Sequence, residues 1–362
     1  MHIIFSANMH SPMNHLITLS PSGHEFQCPE GVELLKAGLA AGFRIPFSCR
    51  SGMCRSCRGR VVQGTVDFGA AHVKYLSDAE RANGLALLCC AMPTSDVVIE
   101  IDEIDPHKHL KPQRIPSRVL SFKEVAPDVR VITLGLPANE PMQFRAGQFV
   151  DVFLPDGARR SYSIANMPKT EGVRQLELHI RHMPGGRFTD HVFQSLKLRE
   201  IWQIEMPLGS FCINEAAHKP LIFLASGTGF APIKSMLHIE LEKPPAQPIH
   251  LYWGGRQKAD LYDMELATQW AIQYPHFKFV PVLSEAKAQD AWGGRTGYVH
   301  LAVLQDHPNL CAHEVYACGA PAMVDAARSD FAKLAELPAD AFFADAFLSE
   351  ADRAQTASTA PI

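Results

Sequence analysis

Cys49, Cys54 and Cys57 fall within nine residues of one another, in Cys49-Arg50-Ser51-Gly52-Met53-Cys54-Arg55-Ser56-Cys57. The spacing is C-x4-C-x2-C, and the pair Cys89-Cys90 follows later in the chain. No other feature constrains the fold as strongly, because one short loop must present three thiols. The chain has nine cysteines, an odd number, and Met1 to His15 shows no basic stretch followed by an apolar core. A disulfide framework is therefore not expected, and reduced thiols in a cytoplasmic protein are. Zinc sites favour pairs of cysteines two to four residues apart and fit this triple with one distant ligand poorly. The spacing predicts a [2Fe–2S] cluster. Ferric iron bridged by sulfide takes soft anionic thiolates, and four of them complete two FeS4 tetrahedra. The candidate metal ligands are Cys49, Cys54, Cys57 and one of Cys89 and Cys90. A short loop also lets backbone N–H groups aim at the sulfurs, with Gly52 supplying the backbone freedom.

The surroundings of these cysteines carry a resemblance. Val32 to Gly42 has helical spacing and ends on glycine, before Ile45-Pro46-Phe47-Ser48-Cys49-Arg50. Leu87-Leu88-Cys89-Cys90-Ala91-Met92-Pro93-Thr94-Ser95-Asp96 comes later. Together these segments resemble plant-type ferredoxin domains. In that family the fourth ligand stands four positions before the proline of P-x-S-D, which implies Cys89 and makes Cys90 a neighbour. One departure is Arg55, where the family has a small residue. With Arg50, Arg58 and Arg60 it gives the loop a basic rim. Such a rim raises a cluster potential or meets an acidic partner, unless it is only a solvated charged face.

The remaining sequence changes texture twice. At roughly 150 residues per domain, 362 residues allow two or three domains. With 47% hydrophobic residues the chain has material for real cores, and a net charge of −4 argues against nucleic acid or an anionic membrane as partner. No apolar run approaches the ~20 residues of a membrane span. The richest, Pro220 to Pro232, is interrupted by Ser226, Gly227, Thr228 and Gly229. The expected order is a ferredoxin-like domain over 13–105 and a polar, proline-containing linker over 106–113. A domain of short strands over 114–215 and an α/β domain over 216–350 follow, with a disordered Ala/Thr/Ser-rich tail over 351–362. Residues before Met13 read as a loose tail or as a misplaced start. The expected architecture is multi-domain α+β and α/β: a β-grasp-like ferredoxin domain, an antiparallel β-barrel and a parallel-sheet nucleotide domain.

In the middle segment β-type runs at Val129–Leu134, Gln148–Leu154, Ser161–Ala165 and Gln175–Ile180 are separated by turn residues. Phe144 to Leu154 reads as a glycine-broken strand pair. Arg159-Arg160-Ser161-Tyr162-Ser163 contains R-x-Y-S, and Gly185-Gly186-Arg187-Phe188-Thr189 opens a helical stretch. An arginine offsets pyrophosphate charge, a tyrosine lies against a flat ring, and a serine hydroxyl reaches a ring nitrogen. Gly186 and Thr189 would stand at a helix N-terminus, where free N–H groups favour anionic oxygen. The block resembles the FAD-binding barrel of the ferredoxin–NADP reductase superfamily. The resemblance implies FAD-binding roles for Arg160, Ser161, Tyr162 and Ser163, for the strand end His179, Ile180 and Arg181, and for Gly186 to Thr189. It also implies that the Ser163 hydroxyl meets flavin N5, which makes Ser163 a catalytic candidate.

After Pro220, apolar strands alternate with helical stretches, as in a parallel α/β sheet. Leu221 to Ala225 runs straight into Ser226-Gly227-Thr228-Gly229-Phe230-Ala231-Pro232. A glycine-rich turn between strand and helix admits a pyrophosphate to backbone N–H groups at the positive end of the helix dipole. The same superfamily has G-T-G-x-x-P here, which assigns Gly227, Thr228, Gly229 and Pro232 to the nucleotide. It has C-G-x-P downstream, matched by Cys318-Gly319-Ala320-Pro321. The match implies that Cys318 and Gly319 line the nicotinamide pocket, with Cys318 a second catalytic candidate; the bland alternative is a small buried hydrophobe. Phe342 to Phe347 resembles the C-terminal aromatic-plus-acid segment and would put Phe347 near the flavin, although an ordinary core strand reads the same way. Tyr252-Trp253-Gly254-Gly255-Arg256 resembles NADH-using members, while Arg256 and Lys258 leave NADPH open.

The order of the segments has a logic. NAD(P)H gives up two electrons as a hydride, a [2Fe–2S] cluster takes one, and a flavin between them converts one currency into the other. A cluster potential near about −400 mV suits delivery to a separate electron-acceptor protein. The whole arrangement resembles CDP-6-deoxy-3,4-glucoseen reductases, whose acceptor is a dehydrase, and reductase components of bacterial oxygenases. The first is the expectation and the second the alternative. A redox sensor without turnover is the alternative of another class. His107, His109 and His313 show no metal spacing and read as surface residues.

Overall fold

The computed structural model describes residues 13–104, 110–138, 141–215 and 218–347. The expectations for the N-terminal dozen, for 105–109 (with His107 and His109) and for everything beyond Phe347 lie outside these residues. The chain divides between His109 and Leu110 into two compact units.

In the first unit, alternation of apolar and polar residues gives the hairpin β1 (Asn14–Ser20) and β2 (Glu25–Pro29), with Ile17 opposite Phe26. Helix α1 (Leu34–Ala40) buries Leu34, Leu35, Ala37 and Gly38, and Gly42 just beyond it takes φ +89°. There follow β3 (Arg58–Gln63), β4 (Val66–Asp67), α2 (Asp78–Ala82), β5 (Leu85–Leu87), β6 (Met92–Pro93) and β7 (Val97–Glu100). The main sheet runs β2-β1-β7-β3-β5. The first-turn N–H groups of α1 donate to the chain around the late cysteines: Leu35 to Leu88 O at 2.8 Å and Leu34 to Ala91 O at 2.9 Å. Leu88 N–H in turn donates to Cys57 O at 3.1 Å. These bonds bring Cys89 back to a loop more than thirty residues earlier, and they satisfy helix N–H groups that would otherwise lack partners.

The second unit begins with an antiparallel sheet. Its strands are β8 (Gln113–Ala126), β9 (Val129–Gly135), β10 (Phe149–Phe153), β11 (Arg159–Ser163), β12 (Gln175–Arg181) and, after α3 (Arg187–Gln194), β13 (Ile201–Leu208). The order is β11-β10-β13-β8-β9-β12. The outer strands approach each other through the Ile164–Leu178 bridge and the bond from Ala165 N–H to Glu177 O at 2.9 Å. The expected strand pair over Phe144–Leu154 is one strand only. Its first half is a turn in which Gly147 takes φ +95°. The Gln148 side chain holds that turn, accepting from Arg145 N–H at 2.7 Å and donating to Gly209 O at 3.0 Å. The chain begins β8 at Gln113, within the stretch read as linker.

The parallel sheet comprises β14 (Leu221–Ser226), β15 (Ile249–Gly255), β16 (Phe277–Leu283), β17 (Arg295–Thr296), β18 (Glu314–Gly319) and β19 (Phe342–Ala346). The helices are α4 (Phe230–Glu240), α5 (Met264–Gln273), α6 (Val299–Asp306) and α7 (Pro321–Leu334). Its order is β17-β16-β15-β14-β18-β19, all parallel. Connections move outward from β14 through β15 to β16, then return to β18 and β19 on the other side. The order therefore reverses between β14 and β18, and the carboxyl ends of those two strands form the crevice where open α/β sheets bind ligands.

One correction lies at the opposite end of this sheet. His313 is half-buried rather than a surface residue, and it joins His307 and His250 in a row of rings with centroids 5.1 and 4.8 Å apart. Burial lowers all three below the usual imidazole range, and repulsion among the rings and from Lys278 adds to it at His250, which falls to about 4. A depressed histidine contributes stability that is complete above the unfolded value and is lost as pH falls toward the folded one. Between about pH 6.5 and 4, we expect the row to cost on the order of 1–2 kcal/mol after discounting for its partial exposure. A shallower slope of melting temperature against pH in His250→Asn, measured by circular dichroism, checks this.

Candidate redox sites

The cysteine loop folds so that its backbone donors meet its sulfurs. Cys54 N–H points at Cys49 Sγ at 3.3 Å, Ser51 N–H at the same sulfur at 3.5 Å, and Cys49 N–H at Cys54 Sγ at 3.4 Å. Gly52 N–H reaches Cys89 Sγ at 3.2 Å and does so at φ +77°, a conformation that favours glycine. The thiols associate in pairs, Cys49 with Cys54 and Cys57 with Cys89. Among the described residues no three metal-ligating side chains converge on a point suited to a single ion. Two pairs instead match a two-iron cluster, in which each iron takes two thiolates and shares bridging sulfides. Hydrogen bonding between paired thiols lowers Cys49 and Cys89, while the same bond pushes their neighbour Cys57 up. Cys90 lies 3.7 Å from Cys89 Sγ, and its thiol is pushed up by that hydrogen bond and by burial. Of the four rim arginines, Arg55 is paired with Glu80 and Arg60 with Glu100 at 3.7 Å, so much of the rim's charge is balanced within the unit.

On β11, alternation sends Arg160 and Tyr162 to one face and Ser161 to the other. The Ser161 hydroxyl donates to Asp151 at 2.7 Å, a carboxylate 1% exposed on the neighbouring strand. Tyr162 packs 5.5 Å from Phe188, and burial pushes its hydroxyl up. Ser163 is buried at the strand end. Gly186 begins α3 with no side-chain cap, as a helix start open to an anionic oxygen requires. The Thr189 hydroxyl is engaged locally, donating to Met183 O at 2.9 Å.

At the switch point the two predicted turns are packed together. Gly227 takes φ +52°, and a Cβ on Gly229 would stand 2.1 Å from Cys318 O. Ser226 Oγ accepts the Ala320 N–H at 2.9 Å, tying the turn after β14 to the turn after β18. Pro232 lies in the first turn of α4, where its missing N–H is not needed. Cys318 is fully buried, and burial together with the Asp345 carboxylate pushes its thiol well up. Asp345 stands beside it in register on β19, and Phe347 N–H donates to Gly319 O at 2.9 Å. Tyr252 and Trp253 are buried structural residues. Tyr252 donates to Asp306 at 2.7 Å, and Trp253 donates to Gly227 O at 3.2 Å while stacking on Phe230.

His179 and Arg181 turn their side chains toward the parallel sheet. His179 meets Tyr262, and Arg181 meets Asp260 while lying over Gly227. The sequence reading missed Glu177, Lys234, Tyr262 and Asp260. The period-two run Glu177-x-His179-x-Arg181 marks the polar face, but its partners lie more than fifty residues away.

Three family models match in succession: a 2Fe-2S iron-sulfur cluster binding domain over 17–94, an oxidoreductase FAD-binding domain over 116–213 and an oxidoreductase NAD-binding domain over 223–329. The CDP-6-deoxy-L-threo-D-glycero-4-hexulose-3-dehydrase reductase of Yersinia pseudotuberculosis is 38% identical over 334 residues, 92% of this chain and 98% of that protein. This chain belongs to the iron–sulfur flavoprotein reductases. The phenol hydroxylase P5 protein of Acinetobacter pittii is 36% identical over 94% of this chain and 97% of its own. The crystal structure of Amycolatopsis cytochrome P450 reductase GcoB superposes with a TM-score of 0.74 at 33% identity, covering 92% of this chain and 98% of that one. The reductase is an NAD(P)H-dependent oxidoreductase with FAD and a [2Fe–2S] cluster, and it passes electrons to a separate protein. Among the described residues no helix is long and apolar enough to cross a membrane.

Proposed function

We propose that this reductase takes a hydride from NADH, releases its proton, and delivers its two electrons singly through the cluster to a dehydrase acting on a nucleotide-linked deoxysugar. Cofactors of these kinds supply, when bound, the conversion of a two-electron donor into one-electron steps. In this reading Cys49, Cys54, Cys57 and Cys89 hold the irons, and Cys90 stays a buried thiol. Arg160 faces the FAD pyrophosphate, Tyr162 lies against the flavin, and Ser163 offers its hydroxyl at the strand end. Gly186 opens a helix start for phosphate oxygen. The Gly227–Gly229 turn and Pro232 receive the pyridine nucleotide, and Cys318, Gly319 and Phe347 border the nicotinamide. A β-grasp-like first domain, a barrel-like antiparallel domain and a cytoplasmic setting complete the reading. The near approach of the outer strands at Ile164 and Leu178 supports the second, and nine free cysteines support the third.

The observation that carries it is the switch point. Both glycine turns that the superfamily pattern assigns to the nucleotide meet there, within the unit that holds β11 and β12. The dehydrase acceptor is favoured by the Yersinia relative. The phenol hydroxylase and GcoB likenesses favour an oxygenase component as the second reading. An anaerobic assay separates them. Protein reduced with NADH is mixed with a pyridoxamine-phosphate dehydrase and its CDP-hexulose, or with an oxygenase component. Turnover with the dehydrase at least ~10-fold faster is expected; the reverse preference favours the second reading. NADH oxidation with ferricyanide no faster than a buffer blank would instead leave the sensor reading.

A further inference from the structure

Strand β12 turns Leu176, Leu178 and Ile180 into the core of the antiparallel sheet, so Glu177, His179 and Arg181 share the other face. Each of the three grips a different part of the parallel-sheet half. Glu177 accepts from Lys234 Nζ of α4 at 3.0 Å, and that ammonium also donates to Asp263 at 2.9 Å, just before α5. His179 is held on both ring nitrogens, Nε2 2.9 Å from Glu177 and Nδ1 2.8 Å from the Tyr262 hydroxyl. Arg181 pairs with Asp128 at 3.2 Å and Asp260 at 3.3 Å. Its guanidinium lies where a side chain on Gly227 would point.

The donors and acceptors can be assigned. Burial opposes charge on Glu177, but His179 and Lys234 overcome it and hold the carboxyl down to about 2. Burial also lowers His179, so the ring is neutral. An ionised Glu177 can only accept hydrogen bonds, from Lys234 Nζ and from His179 Nε2. His179 therefore carries its N–H on Nε2, and Nδ1 accepts the Tyr262 hydroxyl. From Tyr262 the contact continues: its ring stands edge-on to Trp253 at 5.3 Å, and Trp253 donates to Gly227 O. The second route, through Lys234, enters the helix that the same turn begins. Both routes from β12 end on the Gly227–Gly229 turn.

We infer that this face of β12 is a positioning device for the hydride step, with Tyr262 and Lys234 as its positioning residues. It holds the strand assigned to the flavin in register with the turn assigned to the pyridine nucleotide. The inference rests on the proposed order of electron flow. Hydride transfer needs reacting atoms about 3–3.5 Å apart, and a displacement of about 1 Å costs of the order of 100-fold. A clamp made of neutral and charge-assisted hydrogen bonds between two sheets resists such a displacement better than apolar contact, which has no direction.

The test uses the full chain loaded with FAD and cluster, mixed anaerobically with NADH in a stopped-flow instrument. Tyr262→Phe removes the hydroxyl and keeps the ring against Trp253; Lys234→Met removes both ammonium contacts, and Lys234→Arg restores the charge. Flavin bleaching is expected to slow by roughly 10-fold in Tyr262→Phe and further in Lys234→Met, with most of the rate regained in Lys234→Arg. The NADH dissociation constant should stay within about twofold. Hydrogen exchange at the Gly227–Gly229 amides, measured without NADH, should quicken in the slowed variants. Bleaching at the wild-type rate in both Tyr262→Phe and Lys234→Met overturns the inference. So does slowing that only tracks lost FAD or lost NADH affinity, since the residues would then serve binding or folding. A wild-type protein that NADH does not bleach would instead remove the proposed electron flow itself.

Discussion

Cys89→Ala is expected to lose the visible absorbance of the cluster and at least ~10-fold of NADH-driven electron delivery to a protein acceptor, while Cys90→Ala keeps both. The adjacent thiols differ in what surrounds them. Cys89 receives the Gly52 N–H and pairs with Cys57. Cys90 is 8% exposed, with Gly52 packed so closely that a Cβ there would lie 2.8 Å from its sulfur. Removing the Cys90 sulfur leaves a small cavity worth about 1 kcal/mol, read as a lower melting temperature with an unchanged spectrum. On the proposed assignment, removing the Cys89 sulfur leaves one iron short of a ligand. Iron content and absorbance of the two purified variants, compared under argon, decide it. A coloured Cys89→Ala beside a colourless Cys90→Ala would reverse the assignment.

How much of this was legible in the sequence follows from the range of the interactions. The cysteine loop and the Gly227–Gly229 and Cys318–Gly319 turns are local objects. Their residues lie within a few positions of one another, and the two glycine turns each sit at the end of an apolar run that announces a strand. Tyr252 and Trp253 show the limit. The segment Tyr252 to Arg256 resembles NADH-using members, and in the fold the Tyr252 hydroxyl goes to Asp306 and the Trp253 indole N–H to Gly227 O. Sequence gives no sign of which face of a buried strand meets a ligand and which meets the next helix. The resemblance assigns His179, Ile180 and Arg181 to the flavin, and it is silent on Lys234, Asp260 and Tyr262, which become partners of that face only once the two sheets are packed. The histidine row at the foot of the parallel sheet is drawn from β15, the end of α6 and the approach to β18, and no spacing links those positions.

Gly229→Ala is expected to disable reduction by NADH while leaving the flavin and cluster spectra in place. Gly229 has φ −59° and ψ −13°, a conformation open to any residue, so backbone strain is not the issue. The obstacle is space. A Cβ would lie 2.1 Å from Cys318 O, 2.4 Å from Cys318 C and 2.7 Å from Gly319 Cα, all of them backbone atoms that cannot swing aside. To admit the methyl group, the ends of β14 and β18 must part, and the crevice between them is the proposed nucleotide site. Overpacking of this kind costs up to about 3 kcal/mol, and here it falls on the two turns that would shape the pocket. The NADH dissociation constant should rise at least ~10-fold, with a fall in melting temperature of about 6–12 °C. Gly293→Ala is the control, since nothing lies within 4 Å of a Cβ there. Titration of both variants with NADH, followed by flavin bleaching, separates the outcomes. If Gly229→Ala melts lower as expected and still binds NADH as the parent does, the crevice between the two strand ends is not where the nucleotide sits.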